Sequence, residues 1–375
     1  MSVDLDTLLA DAVARGASDL HLKVDAPPYL RIDGVLRPLD HPALTAADTR
    51  QVAIKLLENH DVNVDEIKEF DASYALYALG RFRCNVFIER GVHGIVLRVI
   101  PGQTKTIAEW NLPPVIEKIA LEERGLVLCT GTTGSGKSTT LAAMIEHINR
   151  TRARHIITIE DPIEYVHTDK RCLITQRQIG IDSESFHNAL RAALRQDPDV
   201  ILIGEMRDKE TIDAAILASE TGHLVFSTLH TIDAVETLIR IISTYPPFQQ
   251  QQVRAQLADV LRAVVSQRLM PRADAEGLVP AVEILINSKH VSDCIRDSKR
   301  TSRIRQAMAE GGSQYGMQTF DQSLLSLYEL GLITEEVAIE SATTPNDMKL
   351  QMRGIVSGLD AGRVAMGGDD PFRPA

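Results

Sequence analysis

Eight residues constrain this chain more than any others. Gly131, Thr132, Thr133, Gly134, Ser135, Gly136, Lys137 and Ser138 spell G-x-x-x-x-G-K-S. The apolar run Leu126 to Thr130 precedes them and reads as a short buried strand. Thr139 to Glu146 follows and can propagate a helix. Strand, glycine loop and helix is the arrangement a phosphate site needs. Glycines let successive N–H groups turn inward around an anion, and the helix N-terminus adds its positive dipole end. In that frame Gly131 to Thr139 cradle a nucleotide, Lys137 reaches the β- and γ-phosphates, and Ser138 ligates Mg²⁺. The competing reading, a glycine turn that binds nothing, is weakened by the strand and helix on either side.

At 375 residues the chain is long for one domain, so two or more are expected. Its formal charge of −11 argues against a broad basic track for nucleic acid. Charged residues interrupt every apolar run before it reaches the length of a membrane span. The start, Met1 to Asp6, lacks the basic-then-apolar form of a signal peptide. A cytoplasmic protein is therefore expected, with any membrane role exercised through a partner. Cys84, Cys129, Cys172 and Cys294 form no C-x-x-C pair and read as small buried side chains.

Residues 1–100 read as a separate α/β module. Leu5 to Ala14 has helical spacing and ends at Gly16. Ser18 to Leu22 alternates polar and apolar, as a half-buried strand does. Asp33-Gly34 between two short apolar stretches is a hairpin signal. Ala46 to Glu58 reads as a helix. In Arg81 to Ile88, alternation puts Phe82, Cys84, Val86 and Ile88 on one face and Arg81 and Arg83 on the other. Ile95 to Ile100 is a further strand, broken by Pro101-Gly102. Residues 101–115 form a linker. From 116 the pattern becomes strands alternating with helices, the mark of a mostly parallel sheet. Candidate strands are Leu126 to Thr130, Ile156 to Glu160, Val200 to Ile203 and Leu224 to Ser227. Beyond 232 the chain reads as helical: Val253, Leu257, Leu261, Val264, Val265 and Leu269 form one stripe ended by Pro271. Residues 354–375, rich in Gly, Asp and Pro, are expected to be a disordered tail.

Hydrolysis of a bound nucleotide needs an acid to hold the metal's waters or orient the attacking water. Two acidic clusters follow strands, where ligands bind in open α/β sheets. One is Glu160-Asp161-Pro162-Ile163-Glu164. The other is Glu205, closing the apolar strand Val200 to Ile203 in a Walker B pattern. Solvated loop acids or caps of the next helix are the alternative. His223 and His230 bracket another apolar strand, and an imidazole near a γ-phosphate can sense hydrolysis.

These four elements, in this order, resemble the type II/IV secretion ATPase superfamily, and within it PilT-type ATPases, the hexameric motors that retract type IV pili. Gly16 to Leu22 (Gly-Ala-Ser-Asp-Leu-His-Leu) is similar to the start of that family's PAS-like N-terminal domain. Thr158 to Tyr165 resembles its Asp box, Leu194 to Asp208 its Walker B region, and Gly316 to Leu324 its C-terminal part. The resemblance implies a PAS-like α/β domain at 1–100 and a RecA-like P-loop ATPase domain with a helical C-terminal subdomain at 116–353. It implies ATP and Mg²⁺ as ligands, Glu164 orienting water, Glu205 as catalytic acid, and His223 and His230 coupling nucleotide state to movement. It further implies a homohexamer in which an arginine from a neighbouring N-terminal domain reaches the nucleotide in trans. Arg81, Arg83 and Arg98 are the candidates, with solvated strand charges as the alternative. The expected partner is an inner-membrane pilus platform protein, at the cytoplasmic face of the membrane. A paralogous retraction ATPase is a second possible partner.

The match has departures. Thr132 replaces the family's usual proline. Val291 to Ser298 matches the retraction-specific helix poorly, and Thr344 to Gln351 with the tail resembles the accessory PilU-like paralogues. The alternatives are thus an accessory ATPase modulating a main motor, or a type II secretion or pilus-assembly ATPase. The missing cysteine pairs count against the last.

Overall fold

Leu5, Leu8, Leu9 and Ala12 recur at helical spacing and are all buried, behind Asp4, whose side chain accepts from the Asp6 amide. That start signal and stripe make α1 (Leu5–Ala14). The computed structural model describes residues 4–354 apart from 33, 59, 61, 77, 78 and 101–103. The described residues divide into two compact units. One lies within Met1–Thr104 together with Pro162–Thr168, the other within Lys105–Asp161 and Asp169–Ala375.

The first unit continues with β1 (Asp19–Leu22), β2 (Tyr29–Ile32), β3 (Val35–Pro38), α2 (Ala46–Leu57), β4 (Glu69–Leu76), β5 (Gly80–Glu89) and β6 (Val92–Ile100). The strands form one antiparallel sheet in the order β3-β2-β1-β6-β5-β4. Its apolar face, with Leu20, Leu22, Leu30, Phe82, Cys84, Val86, Ile95 and Leu97, shares a core with α1 and α2. Ile88, expected on that face, is 36% exposed near the end of β5. Strand β4 was not anticipated, since its mixed run Glu69–Leu76 alternates weakly. The β2–β3 hairpin forms with Ile32 opposite Val35. Asp33 and the Pro101-Gly102 break fall outside the described residues, as does the expected tail beyond 354.

The second unit contains α3 (Val115–Ala120), β7 (Gly125–Thr130), α4 (Lys137–Thr151), β8 (His155–Glu160), β9 (Leu173–Gln178), α5 (Phe186–Ala193), β10 (Val200–Ile203), α6 (Lys209–Glu220), β11 (Leu224–Leu229), α7 (Ala234–Ser243), α8 (Pro247–Val260), β12 (Leu261–Pro271) and β13 (Leu278–Ile286). Then come α9 (Lys289–Arg296), a 3₁₀ turn (Ser298–Arg303), α10 (Ile304–Glu310), α11 (Gly312–Tyr315), α12 (Phe320–Glu329), α13 (Glu335–Ser341) and α14 (Pro345–Met352). The seven strands are ordered β13-β12-β7-β11-β10-β8-β9, all parallel except for β13 against β12. One core layer joins one face of the sheet to α5–α8 and another joins the opposite face to α3 and α4. A smaller core holds α12–α14 against Met270, Val279 and Ala281 at the end of the β12–β13 hairpin.

The stripe from Val253 to Leu269 is not one helix, and the chain beyond 232 is not wholly helical. α8 ends at Val260, and Leu261 begins a central strand. β12 is flanked by β7 and β13 and buried on both faces, so it carries no polar alternation to distinguish it from a helix. β13 contains Pro280, tolerated because this strand lies at the sheet edge. β9, at the other edge, is largely polar and was not read as a strand.

Candidate nucleotide site

The sheet order puts four loops at one C-terminal edge. β7 leads into the glycine loop, β11 into His230, β10 into Glu205 and β8 into Glu160. The glycines are needed where the loop bends. Gly131, Gly134 and Gly136 have φ of +143°, +78° and +89°, a region that L side chains seldom adopt. Gly131 and Gly136 are also crowded. A Cβ on Gly131 would stand 2.4 Å from the Gln267 carbonyl oxygen, and one on Gly136 2.7 Å from Gln267 Nε2.

α4 starts directly after Gly136 with no side-chain cap, so its first amides remain available to an anion. Lys137 is buried, and its Nζ donates to the carbonyls of Gly131 (2.8 Å) and Thr132 (3.0 Å). The ammonium therefore lies over the loop it would serve. Ser135 is buried with its hydroxyl unpartnered. Thr132, Thr133 and Gly134 are exposed, while Ser138 and Thr139 are half-buried in the first turn of α4. Crowded glycines, an uncapped helix and a lysine folded over the loop fit a nucleotide phosphate. Ser138 and Glu205 supply the hard oxygen donors that Mg²⁺ prefers.

Glu205 is held between Arg207 and His230. Its Oε2 is 2.8 Å from Arg207 Nη2 and its Oε1 is 3.2 Å from His230 Nε2. Tight strand crossings set this position. Gly204 donates to the Ile159 carbonyl (2.7 Å), and its own carbonyl accepts from Thr228 Oγ1 (2.6 Å). A side chain at 204 would meet Glu160 Cα at 3.3 Å. Asp208, by contrast, caps α6 by accepting from the Thr211 amide.

His223 is not brought to this edge. β11 runs parallel to β7 with Leu224 beside Gly125 and Leu229 beside Thr130. His223 thus precedes the strand, about 20 Å from the loop edge at ~3.3 Å per residue. Its Nδ1 lies 2.9 Å from the Ala218 carbonyl, and its own carbonyl accepts from the Gly125 amide. A strand of six residues necessarily places its two flanking histidines at opposite edges.

Glu164 lies in the segment Pro162–Thr168, which belongs to the first unit. Glu160 stays on β8, its Oε1 accepting from Thr158 Oγ1 (2.6 Å) and Gln176 Nε2 (3.3 Å). Asp161 is exposed.

The three arginines differ. In the first unit, cross-strand pairing aligns Arg31, Asp19, Arg98 and Arg83 in one row. Arg98 Nε is 2.9 Å from Asp19 Oδ1. Asp19 is 5% exposed. Burial pushes its carboxyl pKa up, but hydrogen bonds from Ser18 and Arg98 outweigh this and hold it below its usual value. Arg81 donates to Ser73 Oγ (3.0 Å). Arg83 is exposed, and no ion pair or hydrogen bond of its side chain is present among the described residues.

Several polar residues at this edge escaped the sequence reading because no motif marks them. Gln267 Oε1 accepts from Thr140 Oγ1 at 2.7 Å. Thr130 donates to Ser266 Oγ (2.8 Å), and Thr231 and Thr237 share a 2.7 Å hydroxyl contact. Glu283 accepts from the Ala234 amide at 2.8 Å, tying β13 to the start of α7.

The sequence matches the family model for type II/IV secretion system proteins over residues 1–354. It is 42% identical to the type IV pilus retraction ATPase PilT of Pseudomonas aeruginosa over 92% of this chain and 100% of that protein. It is 40% identical to the type IV pilus ATPase PilU of the same organism, over 94% of this chain and 92% of that protein. A crystal structure of the pilus retraction motor PilT with bound ADP superposes with a TM-score of 0.84 at 43% identity, covering 93% of this chain and 99% of that one.

Proposed function

The chain belongs to the type II/IV secretion system protein family, and we propose from that membership and the geometry of its sheet edge that it is a type IV pilus retraction ATPase, converting ATP hydrolysis into movement. The observation that carries this reading is the uncapped phosphate-loop helix on the same edge as Glu205 and His230, in a chain that a pilus retraction ATPase matches over 92% of its length. Gly131 to Thr139 hold the triphosphate, with Lys137 neutralising the β- and γ-phosphates. Ser138 and Glu205 would hold Mg²⁺, which when bound neutralises charge on the transferring group. Glu205 is the catalytic acid, and Glu164 orients water. His230, within reach of Glu205, reports the nucleotide state. His223, at the far edge, acts on neighbouring structure instead.

The working form is a homohexamer, with an arginine of one copy completing the nucleotide site of the next. Arg83 is the leading candidate because its side chain has no ion-pair or hydrogen-bond partner among the described residues, whereas Arg98 serves Asp19 and Arg81 contacts Ser73. The motor acts on an inner-membrane platform protein at the cytoplasmic face. No helix of the described residues is long and apolar enough to cross a membrane.

Mg·ATP turnover by purified protein tests the reading. Turnover is expected in the parent and lost in a folded Lys137→Ala variant; equal rates in both would overturn it. The nearly equal likeness to PilU supports a second reading, an accessory ATPase assisting a main motor. Imaging single pili after deletion of the gene separates the two. Loss of all retraction favours the main motor, and loss only under load favours the accessory one.

A further inference from the structure

Adjacent residues of a strand point to opposite faces, and in β12 two such neighbours touch the two ends of the second unit's machinery. Gln267 is 4% exposed. Its side-chain oxygen accepts from Thr140 in the first turn of α4, while its amide group packs where a Gly136 side chain would stand. Its carbonyl crowds Gly131 in the same way. One residue therefore braces the phosphate loop at both flanking glycines and at the helix that follows. Arg268, on the other face, lays its guanidinium 4.0 Å from the Phe320 ring centroid at the start of α12. Its Nη1 also donates to the Ser341 carbonyl at the end of α13 (3.4 Å).

We propose that Gln267 is a positioning residue for the phosphate loop, and that Arg268 relays the loop's state through β12 to the helices α12–α13. β12 suits a relay because it is ladder-paired on both sides and moves with little internal give. Ligand binding that tightens the loop against Gln267 shifts the strand, and the cation on Phe320 carries that shift to the C-terminal helices. The coupling is reciprocal, so changes at α12 alter nucleotide affinity. The inference rests on the reading of Gly131 to Ser138 as a nucleotide site.

The test combines steady-state ATPase kinetics with hydrogen exchange, with and without Mg·ADP. Gln267→Met leaves the Thr140 hydroxyl unsatisfied and is expected to raise KM for ATP about tenfold, with kcat moved much less. Thr140→Val should do the same, and the double variant should be no worse than either single one. In the parent, Mg·ADP should slow amide exchange in 320–341. Arg268→Met should lose that protection while shifting KM far less than Gln267→Met does. Phe320→Leu, which leaves the charge in place, should lose it as well. An unchanged KM in Gln267→Met overturns the positioning role. Protection that survives in both Arg268→Met and Phe320→Leu overturns the relay. If the parent neither hydrolyses ATP nor responds to Mg·ADP, the nucleotide-site reading itself falls.

Discussion

Replacing Glu283 with glutamine is expected to stabilise the chain at alkaline pH and to change little in acid. Glu283 is 2% exposed on β13. Burial pushes its carboxyl up from 4.5 to about 7. The nearby Asp233 adds to that rise, and the Ala234 amide, Arg305 and Arg268 only partly oppose it. Because the folded value exceeds the unfolded one, folding binds the proton more tightly. The group's contribution is complete below 4.5 and is lost as pH rises through about 7. At about 1.4 kcal/mol per pH unit, that window is worth about 3 kcal/mol. Glutamine keeps the shape and an oxygen able to accept from the Ala234 amide, but never ionises. Glu283→Gln should therefore gain under about 1 kcal/mol at pH 5 and about 3 kcal/mol at pH 8. For a unit of this size the second figure is a rise in Tm of about 5–10 °C. Thermal melts of both proteins from pH 4.5 to 8.5 provide the assay. Parallel Tm curves across that range would refute the reasoning, because a Tm difference independent of pH cannot come from this proton.

Three further outcomes are expected. Lys137→Ala should keep its far-UV circular dichroism spectrum and lose ATPase activity by ~10²–10³-fold, the usual effect of removing a preorganised charge from a reacting phosphate. His230→Ala should slow turnover by about 10²-fold while His223→Ala leaves the rate of the isolated protein near that of the parent; the reverse order would contradict the separation of the two histidines along β11. Gly136→Ala should cost about 1–2 kcal/mol in stability from its left-handed backbone alone, and its clash with Gln267 should also weaken ADP affinity measured by calorimetry.

What could be read from residues alone depended on how local the signal was. Gly131 to Ser138 carries its meaning in consecutive residues, and α1 spans Leu5–Ala14 as its spacing predicts. β12 was misread because burial on both faces removes the alternation that identifies a strand, and Val253, Leu257 and Leu261 set up a helical rhythm that Val264 and Val265 merely continue. The candidate site divides in the same way. Glu205 and His230 follow apolar strands, and the sheet order brings them together. Gln267 and Glu283 act through partners distant in sequence, Thr140 and Ala234, and no local pattern announces them. His223 precedes its strand and His230 follows it, so in a parallel sheet they lie at opposite edges, and flanking the same strand does not bring them together.

All four cysteines are buried. Burial pushes the Cys84 and Cys129 thiols up to about 12, and those of Cys172 and Cys294 upward as well. A thiol so protonated and enclosed is inert towards alkylating reagents until its surroundings open. Cys84 lies in the first unit and the other three in the second. The unmodified chain thus carries its own clock for local opening. The order in which iodoacetamide labels these sites during ATP turnover reports which unit loosens first, and a cysteine placed at exposed Phe248 could be labelled against a silent background.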